Sequence, residues 1–101
     1  MPEPGTGLTL VHRRDCQLCD EMLAELTALA RQLPLPPLEV VDVDADLRLK
    51  RRHGLDVPVL LLDGLVVCRH RLDRKELTRL LAARAGSADA GAAMLSRAPR
   101  Q

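Results

Sequence analysis

At 101 residues the chain has room for one small domain, since domains run roughly 100 to 200 residues, and a two-domain enzyme is excluded. Lys and Arg number 15 against 14 Asp and Glu, a formal charge of +1, which is too weak a field to draw in nucleic acid or a membrane surface. Phe, Tyr and Trp are all absent, so base-stacking platforms and aromatic cation cages are excluded and an aliphatic core, with 21 leucines to build it, remains.

Residues 1–7, Met1 to Gly7, carry neither a basic patch nor an apolar run. They read as a flexible start without a secretory signal, and the protein is expected in the cytoplasm. Leu8-Thr9-Leu10-Val11-His12 alternates apolar and polar residues with β-branched members, the pattern of a first strand. After Arg13-Arg14-Asp15 the period changes. Met22, Leu26, Leu29 and Leu33 recur at steps of four, three and four, which predicts an amphipathic helix from Gln17 that ends at Pro34.

Leu38 to Val43 reads as a second strand, and Asp44 is the expected cap of a short helix closed by Gly54. Val57 to Leu62 is apolar on both faces, as a central strand requires. Asp63-Gly64 is a two-residue hairpin signal into an edge strand, Leu65 to His70. Asp73-Arg74-Lys75-Glu76 is a capping box ahead of Leu77, Leu80 and Leu81, a last helix. From Gly86 onward large apolar residues are scarce, and residues 86–101 read as a disordered tail. The domain is thus residues 8–85, an α/β fold of order βαβαββα with a four-stranded mixed sheet and three helices. Its first crossover makes strands one and two parallel.

The chemistry is concentrated in Cys16-Gln17-Leu18-Cys19, in the turn before the first helix. A helical turn separates the two thiols, close enough for a small-loop disulfide. A free thiol is only a few per cent ionised at pH 7, and a helix N-terminus with nearby cations lowers its pKa. Arg13 and Arg14 are therefore expected to activate Cys16, against opposition from Asp15, Asp20 and Glu21. Cys16 is the expected nucleophile on a substrate disulfide and Cys19 the resolving thiol.

With these residues in view, the chain resembles the thioredoxin superfamily, and within it the small glutaredoxin-like proteins. The likeness rests on Leu8-Thr9-Leu10, Cys16-Gln17-Leu18-Cys19-Asp20, Asp42 to Asp46 and Val57-Pro58-Val59-Leu60, and spans about residues 8–82. It implies a thioredoxin-like fold in which Val57-Pro58 is a cis bond facing the cysteines, with the Val57 backbone pairing to an extended substrate. By itself Pro58 reads equally as the start of a strand. The resemblance also brings in glutathione as a possible reductant. Its expected loop, of Gly-Gly-Asp type, is not matched, because Arg71-Leu72-Asp73 stands there, and no bound cofactor is expected. His12 and His53 occupy places where relatives carry an aromatic ring.

Bland readings stand beside these. Zinc needs four ligands and finds no second C-x-x-C or close His pair, so no metal is expected. Cys68 reads as a half-buried small residue alternating with Val66 and His70 on one face of the edge strand. His70 reads as a surface residue, and Lys50-Arg51-Arg52-His53 as a solvated helix face. The expected function is thiol–disulfide exchange by a monomer on protein or small-molecule disulfides, with no nucleic-acid or membrane partner. The rival from another class is a thioredoxin-fold binding module with weak or no redox turnover.

Overall fold

The computed structural model describes residues 7–93, with side-chain environments through residue 84. Its elements are β1 (Leu8–His12), α1 (Gln17–Ala30), β2 (Leu38–Asp42), α2 (Leu47–His53), β3 (Val59–Leu62), β4 (Leu65–Arg69) and α3 (Arg74–Ala93), with a single 3-10 turn at Val43–Ala45 between β2 and α2. The sheet order is β2-β1-β3-β4. β1 runs parallel to β2, with Leu10 opposite Val40, and antiparallel to β3, with Leu10 opposite Leu60. This is the four-stranded mixed sheet of a thioredoxin-like fold.

Side-chain alternation along β1 feeds two cores. Leu8 and Leu10 join Met22, Leu26 and Leu29 of α1, Leu60 and Leu62 of β3 and Leu77 of α3. Val11 points to the other cluster with Val43 and Val59, against which Leu49 of α2 and Val57 pack. Two helices therefore cover one face and the short α2 the other, which buries the sheet's centre and leaves both loop-bearing ends open.

The hairpin between β3 and β4 turns on Asp63 and Gly64, with φ of 51° and 85°, the left-handed pair that a two-residue turn needs. Asp63 also fastens the chain start. Its Oδ1 accepts the Gly7 N–H at 2.8 Å, its own N–H donates to the Gly7 carbonyl at 2.8 Å, and its Oδ2 accepts Arg84 Nε at 2.7 Å. The Gly7 N–H, then Arg84, hold the Asp63 carboxyl below its ordinary pKa. Gly7 is thus pinned rather than flexible, and at φ 78° a side chain there would meet the Pro37 carbonyl at 2.9 Å. The rest of the expected flexible start, residues 1–6, lies outside the described residues.

Further expectations differ from the structure. Asp44 does not cap α2. The chain after β2 winds into the 3-10 turn, whose Asp42 accepts the Asp44 N–H at 2.8 Å, and Asp46 becomes the cap, accepting from the N–H groups of Arg48 and Leu49 at 2.8 and 3.2 Å. Replacing Asp46 by Ala should cost about 1 kcal/mol, the usual worth of a cap, read as a lower urea midpoint with an unchanged slope. At Asp73 half of the capping box forms: Asp73 accepts the Glu76 N–H at 3.0 Å, while the Glu76 carboxylate turns to Arg79 with contacts of 3.0 and 2.8 Å.

β4 carries a bulge. Leu60 faces Cys68 while Leu61 faces Val66, so one extra residue, Val67, sits in the strand and the expected alternation of Val66 with Cys68 is broken. Finally, α3 continues past Gly86 to Ala93. Alanine, at four of the eight added positions, has the highest helix propensity and extends a helix already nucleated. Residues 94–101 lie outside the described residues. Among those described, no helix is long and apolar enough to cross a membrane.

Candidate functional site: the Cys16–Cys19 pair

β1 ends at His12, and three residues later Asp15 takes a left-handed φ of 55°, a conformation Asp tolerates better than most. That turn delivers Cys16 to the N-cap of α1 with an extended backbone, φ −117° and ψ 106°. Its sulfur stands where a serine or aspartate oxygen would cap a helix, accepting the Cys19 N–H at 3.2 Å. Cys16 and Cys19 are joined by a disulfide with Cα atoms 5.2 Å apart. The two sulfurs are not equivalent. Cys16 is half-buried and Cys19 is only 1% exposed, because Cys19 opens the apolar stripe continued by Met22, Leu26 and Leu29.

The second half of the site comes from topology. Because β1 and β3 are antiparallel with Val11 opposite Val59, the loop leaving β1 toward Cys16 and the loop entering β3 through Val57-Pro58 emerge at one end of the sheet. The Val57–Pro58 peptide is cis. Pro58 is fully buried and its carbonyl accepts the His70 N–H at 2.8 Å. Val57 is half-buried and packs on the Val11 cluster. No backbone hydrogen bond to Val57 occurs among the described residues.

The expected activating pair behaves differently. Arg14 is exposed. The Arg13 guanidinium is committed elsewhere, with Nε to Asp44 Oδ2 at 2.9 Å, Nη2 to Asp44 Oδ1 at 3.1 Å and Nη1 to the Gly54 carbonyl at 3.0 Å. A cation so neutralised has little field left for a thiolate. The Cys16 sulfur instead meets the α1 N-terminus and the Cys19 N–H, and Asp44 is the Arg13 partner that sequence order alone did not suggest.

The chain matches the glutaredoxin-like domain over residues 7–82. It belongs to the glutaredoxin-like domain family. Among solved structures, this glutaredoxin-like chain is similar to the protein Ne2328 from Nitrosomonas europaea, at 30% identity and a TM-score of 0.66, covering 79% of this chain and 94% of that one. It is also similar to the protein XcR50 from X. campestris, at 36% identity and a TM-score of 0.56 over 75% and 96% of the two chains. Thioredoxin 1 from Thermosipho africanus shares the fold at 16% identity, with a TM-score of 0.55 over 81% and 97%. No curated protein matches.

Other polar groups of this glutaredoxin-like domain fall outside the disulfide. A cleft of about 440 Å³ on the α2 face, lined by Thr9, Val41, Leu49 and Leu61 among others, contains neither cysteine. Among the described residues no group of three His, Cys, Asp or Glu side chains is placed to hold a metal. Cys68 is half-buried against the main core; burial pushes its thiol up, with the Asp73 N–H pulling the other way. His70 is exposed, 4.0 Å from Asp56.

His53 is the buried polar exception, 4% exposed with Nδ1 unpartnered. Burial, then the cations of Arg52 and Arg69, hold it below its ordinary pKa of 6.5, with Asp56 opposing. The unfolded chain therefore binds this proton more readily than the folded one. Stability owed to neutral His53 is complete above about pH 6.5 and is lost as pH falls below it. Urea midpoints at pH 7.5 and 5.5 should differ for the wild type, and the difference should shrink in His53→Leu, since ordinary carboxylates titrate near pH 4, below that window.

Proposed function

We propose that the protein is a thiol–disulfide oxidoreductase acting on protein or small-molecule disulfides, with Cys16 as nucleophile and Cys19 as resolving thiol. The observation that carries this is the asymmetric capping geometry: the sulfur of a half-buried Cys16 at a helix N-terminus receives a backbone N–H at 3.2 Å, beside a fully buried Cys19. Donors aimed at a sulfur stabilise its anion more than its neutral form, which lowers the thiol pKa.

In the reduced protein, Cys16 thiolate attacks one sulfur of the substrate disulfide. The substrate S–S bond breaks, the displaced sulfur leaves as a thiolate that takes a proton, and a mixed disulfide with Cys16 forms. Cys19, deprotonated, then attacks the Cys16 sulfur and releases the second substrate thiol. The substrate gains two electrons and two protons, and the protein ends as the Cys16–Cys19 disulfide. Val57 is the residue whose free backbone groups would pair with an extended substrate, beside Pro58, so that the substrate sulfur is held in line with Cys16.

Return to the dithiol requires an external thiol, with glutathione the candidate. Arg71-Leu72-Asp73 offers no glycine for close backbone approach, and Asp73 is occupied as the α3 cap. Glutathione is thus expected to act by collision rather than from a fitted subsite. This demand for reductant suits the cytoplasm. The test is alkylation rate against pH on the reduced protein, paired with reduction of a model disulfide. A midpoint below the free-thiol value of about 8.5 with turnover supports the reading. An ordinary midpoint with no turnover overturns it in favour of a binding module.

A further inference from the structure

We propose that Arg13 is a positioning residue that clamps the loop carrying Cys16 to the loop carrying Val57-Pro58. The consequence for catalysis rests on the oxidoreductase reading above; the clamp itself rests on geometry alone. Arg13 lies three residues before Cys16, and Gly54 lies three residues before Val57. One guanidinium spans them. Its Nη1 donates to the Gly54 carbonyl at 3.0 Å, while Nε and Nη2 grip both oxygens of Asp44 at 2.9 and 3.1 Å. Three separate connections, β1 to α1, β2 to α2 and α2 to β3, are thereby tied at the end of the sheet that carries the disulfide.

Each partner is prepared for the contact. Asp44 is presented by the 3-10 turn, where Asp42 accepts its N–H, and it also lies 3.8 Å from Lys50 Nζ. The Gly54 carbonyl belongs to the C-cap of α2, where carbonyls lack helical partners. Gly54 itself has no room for a side chain, since a Cβ there would collide with the Lys50 carbonyl. The planar fork of arginine can hold a carboxylate with two donors and keep a third for the carbonyl, a geometry that the single ammonium of lysine does not reproduce. The side chains of Arg13 and Asp44 are 36% and 41% exposed. Ion pairs this open add little to global stability, so the consequence of removing this one is expected in the spacing of the two loops.

The experiment compares wild type, Arg13→Ala and Arg13→Lys with a disulfide-containing peptide as substrate. It reads KM and kcat separately, the Cys16 alkylation midpoint, and backbone amide exchange at Leu55 to Val57. Both variants should raise KM about tenfold, a moderate share of what a 1 Å misplacement costs, with faster exchange at Leu55 to Val57 and an unmoved alkylation midpoint. Unchanged KM in Arg13→Ala overturns the clamp while leaving the oxidoreductase reading intact. So does wild-type KM in Arg13→Lys, which would make charge rather than the fork the operative property. An inactive wild type overturns the oxidoreductase reading instead, and the amide exchange then decides the clamp: no change in Arg13→Ala removes it.

Discussion

Cys19→Ser is expected to accumulate one covalent adduct per chain through Cys16 when the reduced protein meets a disulfide, and Cys16→Ser is expected to form none. The first step needs only the Cys16 sulfur that caps α1 and the Cys19 N–H, which a serine at 19 keeps. The second step needs a buried sulfur at residue 19, because only attack on the mixed disulfide releases the second product. Removing it stops the cycle halfway. At residue 16 a serine hydroxyl offers no thiolate near neutral pH, so exchange should fall on the order of a thousandfold, to the uncatalysed background. Mass spectrometry under non-reducing conditions reads the adduct and its site. Cys68 is the internal control, since burial pushes its thiol up; an adduct that persists in Cys16→Ser and disappears in Cys68→Ser would transfer the chemistry to β4 and end the proposed mechanism.

Features that depend on short-range chemistry were legible in the residues. The period of β1, the helical stripe of α1, the Asp63-Gly64 turn and the placement of Cys16 at a helix start each follow from side-chain spacing or from a conformation that few residue types adopt, and all appear in the structure. What escaped was decided by competition among equals or by distance. Asp42, Asp44 and Asp46 are three candidate caps in five residues, and only the 3-10 turn settles which one serves α2. Arg13 sits among two arginines and several acids near Cys16, so local charge suggested a thiolate partner. Its true partners lie 31 and 41 residues away, and contacts of that range are visible only after β1 and β2 have been set side by side. The bulge at Val67 belongs to the same class, because nothing in Leu65 to Arg69 reports that one residue of the strand will go unpaired. Cys68 thereby keeps the half-buried character expected of it, though for a reason of register rather than alternation.

Leu60→Ala should be the most damaging single substitution outside the disulfide. Leu60 is fully buried in β3, an inner strand flanked by β1 and β4, where it faces Leu10 on one side and Cys68 on the other. Its side chain lies in the cluster shared by α1, β1, β3 and α3, so the cavity left by truncation is walled by four elements that cannot all move inward together. Large-to-small changes at such sites cost about 2 to 5 kcal/mol, and poorly collapsible ones lie toward the upper end. A domain of this size commands only about 5 to 15 kcal/mol in total, and the absence of aromatic rings leaves no larger neighbour to swing into the gap. Leu65→Ala is the contrast: the same deletion at a position 74% exposed on the edge strand, where surface changes usually stay within about 0.5 kcal/mol. Urea unfolding should therefore show a large midpoint loss for Leu60→Ala and almost none for Leu65→Ala. Equal losses would mean that β4 is as tightly packed as β3, and the assignment of the core to the α1 and α3 face would have to be given up.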